Sequence, residues 1–166
     1  MKINISNLSE GVHEYKFEDE PFVIRLDERF SKTVFVNVEL EKRRRQLFLA
    51  GHVKTIGRFA CDRCLDDFDQ GISFDYRMAY VLDKSDAVEF DQSEVTVIST
   101  STNEIDISED VRQYILLAVP LKLLCKEDCA GLCSTCGANF NRETCTCPKN
   151  DIDPRWEKLK KIVNKN

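Results

Sequence analysis

Alternation of apolar and polar residues dominates the first eighty positions of the chain, and this period of two is typical of β-strands with one buried face. The alternation is clearest over residues 34–40 and 47–53, on either side of the charged segment 41–45. Two such segments around a short polar turn predict a β-hairpin. Further strands are predicted at residues 3–5, 13–17, 22–26, 72–80 and 95–98.

Two helices are predicted in the second half of the chain. Ser108 is the predicted N-cap of the first, and Pro120 cannot continue it, so this helix is predicted over residues 109–119. Its apolar positions recur with helical spacing at Val111, Tyr114, Ile115 and Ala118. The second begins after Asp153 as N-cap, with Pro154 at the first helical position. Its apolar stripe is Trp156, Leu159, Ile162 and Val163.

Eight cysteines carry the strongest chemical signal of the chain. One Cys-x-x-Cys pair, Cys61 and Cys64, lies well upstream of the others. The remaining six occupy 23 residues, at Cys125, Cys129, Cys133, Cys136, Cys145 and Cys147. A Cys-x-x-Cys turn suits two corners of a zinc tetrahedron with Zn–S distances of about 2.3 Å. The count therefore predicts two sites of four thiolates each and two zinc ions.

The spacing also predicts how the thiols are shared between the two sites. Cys133 and Cys136 are followed by Gly137, whose freedom to take positive φ suits a zinc-knuckle turn. Cys145 and Cys147 are the nearest partner pair in sequence. The upstream pair is then matched with the cysteines at 125 and 129. A single metal site with spare thiols is the main alternative to this partition.

Disulfides and redox-active thiols are the other chemical interpretations of the cysteines. No segment has the apolar length of a signal peptide or the roughly 18 apolar residues of a membrane helix, so a cytoplasmic location is expected. In that compartment a Cys-x-x-Cys pair more often binds metal than forms a disulfide. No βαβ pattern surrounds the upstream pair, which disfavours a thioredoxin-like site.

These elements predict an α+β fold: an antiparallel, barrel-like curved sheet with a core helix, a zinc-bound cysteine lobe and a C-terminal helix. We expect two units packed against each other. Residues 1–120 form a β-rich core with an acidic loop and the core helix. Residues 121–166 form the cysteine-rich zinc lobe with the terminal helix.

The charge of the chain limits its partners. The formal net charge is −5, and eight thiolates with two zinc ions make it more negative, so any contact with nucleic acid must be local. Between residues 83 and 110, nine acidic residues stand against one lysine. Such a run is typical of a solvated loop, and it also suits a basic protein partner.

No residue pattern indicates catalysis. His13 and His52 are the only histidines, and both lie in predicted strands with no nucleophile nearby in sequence. The chain has no P-loop, no Rossmann glycine fingerprint and no metal-binding His-Glu motif. Sites built only from cysteine are closed and structural in most cases. We therefore expect a protein that is not an enzyme and has no catalytic residue.

Basic residues cluster at the tip of the predicted hairpin. Exposed arginines at a turn can contact phosphates, so Arg43, Arg44 and Arg45 are candidate RNA-binding residues. Arg58 and Arg63 would assist them if they lie nearby. A solubilising hairpin tip is the alternative interpretation.

Several segments together are specific for one known family. They are Cys61-Asp-Arg-Cys64-Leu65, Pro120, Cys125-x-x-x-Cys129-Ala-Gly131-Leu132-Cys133-x-x-Cys136-Gly137-x-Asn139-x-Asn141, Cys145-x-Cys147 and Asp153-Pro154-Arg155. Through these segments the chain resembles the YceD family of large ribosomal RNA subunit accumulation proteins over nearly its whole length.

The resemblance implies a function in the synthesis, processing or stability of large-subunit ribosomal RNA. The implied partner is that RNA or a pre-ribosomal particle, and the resemblance implies no catalytic residue. One alternative is a zinc-stapled interaction module that escorts a basic ribosomal protein. Another is a DNA-binding zinc-ribbon regulator, which the negative net charge and the lack of a recognition helix disfavour.

Overall fold

The computed structural model describes residues 1–83 and 94–147. In these residues the chain forms the strands β1 (Lys2–Asn4), β2 (Gly11–Asp19), β3 (Val34–Arg43), β4 (Gln46–Ala60), β5 (Asp67–Val81), β6 (Val95–Val97) and β7 (Glu104–Asp106). A 3-10 helix spans Pro21–Ile24, and the α-helix α1 spans Ser108–Leu117.

The strands form one main sheet and one small sheet. The main sheet has the order β2-β3-β4-β5-β6, and β1 pairs with β7 separately. The pairs β2–β3, β3–β4 and β4–β5 are antiparallel. The pair β5–β6 is parallel, with Val95 opposite Ala79. The α+β class agrees with the prediction. The barrel-like form and the purely antiparallel order are wrong, because in the described residues β2 and β6 are free edges of an open sheet.

Helix α1, strand β1 and the 3-10 helix cover one face of the main sheet. Val111 and Ile115 of α1 are fully buried, and the ring of Tyr114 lies 5.2 Å from that of Tyr76 on β5. Ile3 of β1 and Ile24 of the 3-10 helix join the same core. These elements bury one face of the sheet against a single layer, which leaves the opposite face mostly exposed to solvent.

The predicted hairpin is confirmed, and it forms the centre of the sheet. In its register Val38 lies opposite Gly51 and Leu40 opposite Leu49, so the alternating apolar residues share the buried face. The predicted strands at residues 3–5, 13–17, 72–80 and 95–98 correspond to β1, β2, β5 and β6. The strand predicted at residues 22–26 is wrong, because Pro21 opens a 3-10 helix there. Proline lacks the N–H that a strand needs and suits the first turn of a helix.

Helix α1 begins and ends near the predicted positions. Its last residue is Leu117 and Ala118 caps it, so Pro120 follows the helix as expected. Ser108 is not the N-cap: it is the first helical residue, and its N–H donates to Asp106 Oδ1 at 3.0 Å. Burial raises the pKa of Asp106, but the hydrogen bonds from Ser108 outweigh it and lower that pKa overall. Across residues 1–83 and 94–147, no helix is long and apolar enough to cross a membrane.

Strands β4 and β5 project beyond their neighbours as a two-stranded arm. The pairing of β4 with β3 ends at Lys54, whereas the pairing of β4 with β5 continues for six more positions, from Thr55–Ile72 to Ala60–Asp67. Phe30 packs edge-on against Phe59 of this arm, with ring centroids 5.9 Å apart. The connection at the end of the arm contains the first Cys-x-x-Cys pair, as the alternation predicted.

Some sequence predictions lie outside the described residues. These are the C-terminal helix after Asp153, with its Trp156 stripe, and part of the acidic stretch, since residues 84–93 and 148–166 are not described.

Replacement of Gly51 by alanine tests the packing of the sheet. An added Cβ would lie 2.1 Å from Tyr76 Cε1, and the tyrosine ring cannot withdraw because Tyr114 packs against it. We expect Gly51→Ala to lower the free energy of unfolding by about 1–3 kcal/mol, the usual cost of overpacking, in urea denaturation.

Gly71→Ala is the matched control, because a Cβ added at this strand glycine meets no heavy atom within 4 Å. We expect its unfolding midpoint to equal or slightly exceed that of the parent protein. Equal midpoints for the two variants would contradict the proposed packing.

Candidate metal centres

Four thiols meet at the end of the arm. Cys61 and Cys64, from the β4–β5 connection, face Cys125 and Cys129, and all four sulfurs lie within 4.8 Å of one another. The Sγ–Sγ distance is 3.8 Å between Cys61 and Cys129 and 3.6 Å between Cys64 and Cys125. Sulfurs at the corners of a tetrahedron with Zn–S of about 2.3 Å lie about 3.8 Å apart. These four residues, the first tetrad, therefore have the spacing of a four-thiolate metal site.

A second tetrad follows directly in the chain. Cys133, Cys136, Cys145 and Cys147 also have their sulfurs within 4.8 Å of one another. Cys145 Sγ lies 3.4 Å from both Cys133 Sγ and Cys136 Sγ. Cys136 is exposed, whereas three of the four thiols in the first tetrad are buried. The two centres thus differ in their access to solvent.

The tetrads have the membership that the sequence spacing predicts. A single site with spare thiols does not fit, because all eight cysteines fall into the two groups. Disulfides do not fit either: the eight cysteines are free, and sulfurs 3.4–3.8 Å apart are well beyond the S–S bond length of about 2.05 Å. Both tetrads can therefore hold a metal ion.

The two Cys-x-x-Cys turns share one backbone form. In the second tetrad Gly137 donates to the carbonyl oxygen of Cys133 at 2.9 Å and has φ of 75°. In the first, Leu65 donates to the carbonyl oxygen of Cys61 at 2.9 Å and has φ of 59°. Leu65 thus holds a left-handed conformation that usually belongs to glycine, which shows that the turn is imposed by its surroundings.

Backbone N–H groups around the tetrads favour thiolates. Hydrogen bonds from the N–H groups of Cys136 and Thr135 lower the pKa of Cys133 to about 6. Burial raises the pKa of Cys61, but backbone hydrogen bonds from Cys125 and from its own turn outweigh burial and lower it to about 6. These donors favour the thiolate, the form that binds metal, at Cys61 and Cys133, whereas contacts with neighbouring thiols raise the pKa of Cys147 to about 12.

Polar side chains brace the first tetrad from outside. Arg63 Nη1 donates to the carbonyl oxygen of Cys129 at 2.8 Å. Asn141 Nδ2 donates to Cys129 Sγ at 3.3 Å, and its Oδ1 accepts from the N–H of Ala130 at 3.0 Å. Hydrogen bonds of this kind fix the position and charge of a ligating sulfur.

Two aspartates join the arm to the cysteine-rich segment. Asp62 Oδ2 accepts from the N–H of Leu123 at 2.7 Å, and the N–H of Asp62 donates back to the carbonyl oxygen of Leu123 at 2.8 Å. Asp66 Oδ2 accepts from Asn139 Nδ2 and pairs with Arg142, both at 2.9 Å. The sequence alone predicted no such role for Asp62, Asp66, Asn139 or Arg142. The signals that could have indicated it are the Asn-x-Asn motif and the aspartates beside the cysteines.

The predicted RNA-binding arginines do not lie together. Arg43, Arg44 and Arg45 are at the β3–β4 turn, whereas Arg58 and Arg63 are near the opposite end of β4. At about 3.3 Å per residue, the 15 residues of β4 separate these groups by about 45 Å. Arg63 belongs to the first metal centre, and Arg58 Nε lies 3.7 Å from Asp67 Oδ2. The two distant arginines therefore cannot assist the turn in a single contact.

Comparison with known proteins identifies the family to which the chain belongs. The profile of the family described as "Large ribosomal RNA subunit accumulation protein YceD" matches residues 49–163, which include both tetrads. The chain belongs to the YceD family. The resemblance seen in the cysteine and asparagine motifs is thereby confirmed.

Relatives of this YceD family member are known in plants and bacteria. It is 31% identical over 147 residues to "Large ribosomal RNA subunit accumulation protein YCED homolog 1, chloroplastic" of Zea mays, covering 70% of this chain and 50% of that protein. The protein of the same description in Arabidopsis thaliana is 24% identical, covering 76% and 47%. A protein of Mycobacterium leprae described as uncharacterized is 25% identical, covering 75% and 56%. The chain thus spans about half the length of these relatives, and no solved structure matches it.

One histidine of this YceD family member has neighbours that the sequence did not predict. His52 Nδ1 lies 2.6 Å from Asp75 Oδ1, and His52 Nε2 lies 3.5 Å from Ser73 Oγ, the atom order of a serine-histidine-aspartate triad. Ser73 Oγ therefore lies near His52, so the expectation that no nucleophile lies near this histidine is wrong. The β4–β5 register, which places His52 opposite Asp75, brings these side chains together.

The surroundings of His52 do not supply the rest of such a site. The side chain of Asp75 is 83% exposed, so water screens its charge. The backbone N–H groups of β4 are shared between the ladders with β3 and β5, which leaves them unavailable to an oxyanion. The group is a cross-strand hydrogen-bonded pair on the open face of the sheet.

Serine substitutions test whether each tetrad holds a metal ion. We expect the purified protein to contain two metal ions per chain, and Cys64→Ser and Cys136→Ser each to contain one, by elemental mass spectrometry. Cys64→Ser should lower the melting temperature more, because the first tetrad is buried and holds the arm to the following segment.

Ser73→Ala on the open face is the control, with two ions and an unchanged melting temperature expected. Unchanged metal content in either cysteine variant would contradict the assignment of that tetrad.

Replacement of Asn141 tests the hydrogen bond to the ligating sulfur. Asn141→Ala removes the donor to Cys129 Sγ, and we expect the first tetrad to lose its metal to a chromophoric chelator at about 10–100-fold lower chelator concentration. Asn37→Ala, an exposed asparagine on β3, should retain metal like the parent protein. Identical metal retention in the two variants would show that Asn141 does not support the centre.

Proposed function

We propose that this chain is a non-enzymatic cytoplasmic factor that supports the synthesis, processing or stability of large-subunit ribosomal RNA by binding RNA or an assembly intermediate. The observation that carries the proposal is membership of the YceD family over a region that includes both metal centres. The printed names of the maize and Arabidopsis relatives refer to large ribosomal RNA subunit accumulation. Eight free thiols also suit a reducing compartment.

Zinc is the metal that the donor set fits best. Each centre offers four sulfur donors in a tight group, the typical set of a structural zinc site. Zinc bound in this way supplies a redox-inert cross-link between its ligands. The residues that would hold the two ions are Cys61, Cys64, Cys125 and Cys129 for the first, and Cys133, Cys136, Cys145 and Cys147 for the second.

The geometry of the centres supports a structural role. Four protein thiolates complete a tetrahedron and leave no position for water or substrate, in contrast to catalytic zinc sites with three protein ligands. The first tetrad joins the end of the arm to a segment more than 60 residues later, and Cys61 with Cys129 is its most buried pair. Metal binding at such a site contributes on the order of 10 kcal/mol to folding. Zinc in these centres would therefore determine where residues 121–147 lie.

The basic turn between β3 and β4, at residues 42–45, favours RNA as the partner. Arg44 and Arg45 are exposed, whereas Arg43 pairs with Glu41 at 2.7 Å and lies over the Phe48 ring. The escort of a basic ribosomal protein depends on the acidic stretch, of which residues 84–93 lie outside the described part of the chain. The described residues therefore support an RNA contact better than the protein escort.

Ribosomal RNA levels in depleted cells test this function. We expect depletion to lower the ratio of large- to small-subunit ribosomal RNA and to leave unprocessed large-subunit precursor ends, because the maturing large subunit is the site of action. Expression of the parent protein should restore the ratio. Cys64→Ser should fail to restore it, and Ser73→Ala should succeed, with protein levels matched by immunoblot.

A normal ratio with normal precursor ends after depletion would refute the proposed function. An equal loss of both subunit RNAs would assign the protein to general ribosomal RNA synthesis instead.

A further inference from the structure

A groove of about 250 Å³ lies beside the β3–β4 turn, at the end of the molecule opposite the metal centres. Its cationic side chains are Lys42, Arg44 and Arg45. Ser6, Ser99, Thr100 and Thr102, here called the hydroxyl wall, also line the groove, and the Ser6 hydroxyl donates to Asn4 Oδ1. Among the described residues that line the groove there is no aspartate or glutamate, although the chain as a whole has 29 acidic residues against 24 basic ones.

Separate segments of the chain assemble this groove. The N–H of Ile5 donates to the carbonyl oxygen of Asn103 at 2.8 Å, and the N–H of Ile98 donates to the carbonyl oxygen of Val81 at 2.8 Å. These bonds hold the segment after β1 to Asn103 and the segment after β6 to the end of β5, where Val81 pairs with Gln46 beside the β3–β4 turn. The groove is therefore a product of the tertiary fold.

The hydroxyl wall is internally ordered. The N–H of Ser99 donates to Thr102 Oγ1 at 3.1 Å, and the N–H of Ser101 donates to Ser99 Oγ at 3.2 Å. Ser99 Oγ also lies 3.0 Å from Ser101 Oγ. Such a network fixes the direction of the hydroxyl groups, so that less conformational entropy is lost when they bind a ligand.

The strand register separates the groove from Arg43. Successive side chains on β3 point to opposite faces, so Lys42 lies on the groove side while Arg43 lies with Glu41 on the open face of the sheet. Arg44 has φ of 51°, which turns the chain over the end of the sheet. The basic segment 42–45 thus divides into three groove cations, Lys42, Arg44 and Arg45, and one arginine, Arg43, on the open face of the sheet.

Guanidinium, ammonium and hydroxyl donors without a competing carboxylate match the oxygens of a phosphate group. The volume is below the roughly 300–1,000 Å³ of sites that enclose a whole small molecule, so the groove suits one unit of a longer chain. We infer that this groove binds the phosphodiester backbone of single-stranded RNA, an inference that rests on the proposed function and assigns it a contact surface. Binding there is local, as the negative net charge requires.

Salt-dependent binding of a fluorescent oligouridine to the metal-loaded full chain tests the groove. The test variant is Arg44→Gly with Arg45→Gln, in which glycine accepts the positive φ at position 44 without strain. Each phosphate contact to a single strand contributes about −0.7 to the slope of log K against log salt, so the double variant should flatten the slope by about 1.4. Its dissociation constant should rise on the order of tenfold, while Arg44→Lys with Arg45→Lys retains most of the slope.

Arg43→Gln is the positional control: it removes one positive charge beside Arg44, but on the other face of β3, so its salt slope is compared with the change of about 0.7 expected for each groove arginine. It should bind like the parent protein, with melting temperatures confirming that every variant is folded. An equal loss of binding in Arg43→Gln would overturn the inference, and so would an absence of oligouridine binding by the parent protein. Competition by uridine monophosphate at the same phosphate concentration would also overturn it, since the groove would then be a site for free nucleotides.

The cellular assay separates this inference from the proposed function. Failure of the Arg44→Gly, Arg45→Gln variant to restore the large-subunit RNA ratio supports the groove. Full restoration by that variant in depleted cells would refute the groove and leave the proposed function intact. A normal ratio after depletion refutes the proposed function whatever the oligouridine result.

Discussion

The gathering of eight thiols into two tetrads is the constraint on which the second half of the structure depends. In the described part of the chain after residue 120, the only regular pairing is an isolated bridge between Leu132 and Asn139. A segment with so few backbone ladders and so small an apolar cluster cannot offset its own conformational entropy. Metal bound by the two tetrads would supply the missing free energy, and the hydrogen bonds of Asp62 and Asp66 define where the segment docks.

The two ends of the sheet differ in charge as a consequence. Two divalent ions held by eight thiolates would leave excess negative charge at the end of the arm, which Arg63 and Arg142 offset only in part. Lys42, Arg44 and Arg45 lie at the other end, about 45 Å away along β4. A molecule with this charge separation orients itself in the field of a polyanion, with the basic end of β4 towards the polyanion.

Features with local causes could be predicted from the sequence. Alternation predicted the β3–β4 hairpin, and Cys-x-x-Cys spacing predicted both tetrads, because two-residue periods and short chelate turns depend only on near neighbours. Features set by distant contacts could not be predicted. The open sheet depends on α1 covering its face, the separation of Arg45 from Arg58 depends on the length of β4, and the His52–Asp75 contact depends on the strand register.

Pairing of β4 with β5 over all 15 positions gives the molecule a stiff axis, since each strand restrains the bending of the other. Gly51 strengthens this axis, because the space above its Cα holds the Tyr76 ring of the neighbouring strand. The same arrangement occurs at Gly57, where Phe59 and Phe30 fill the space. A stiff axis keeps the groove and the metal centres at a constant distance, so a partner that touches both ends of the molecule would meet two surfaces whose separation is already fixed.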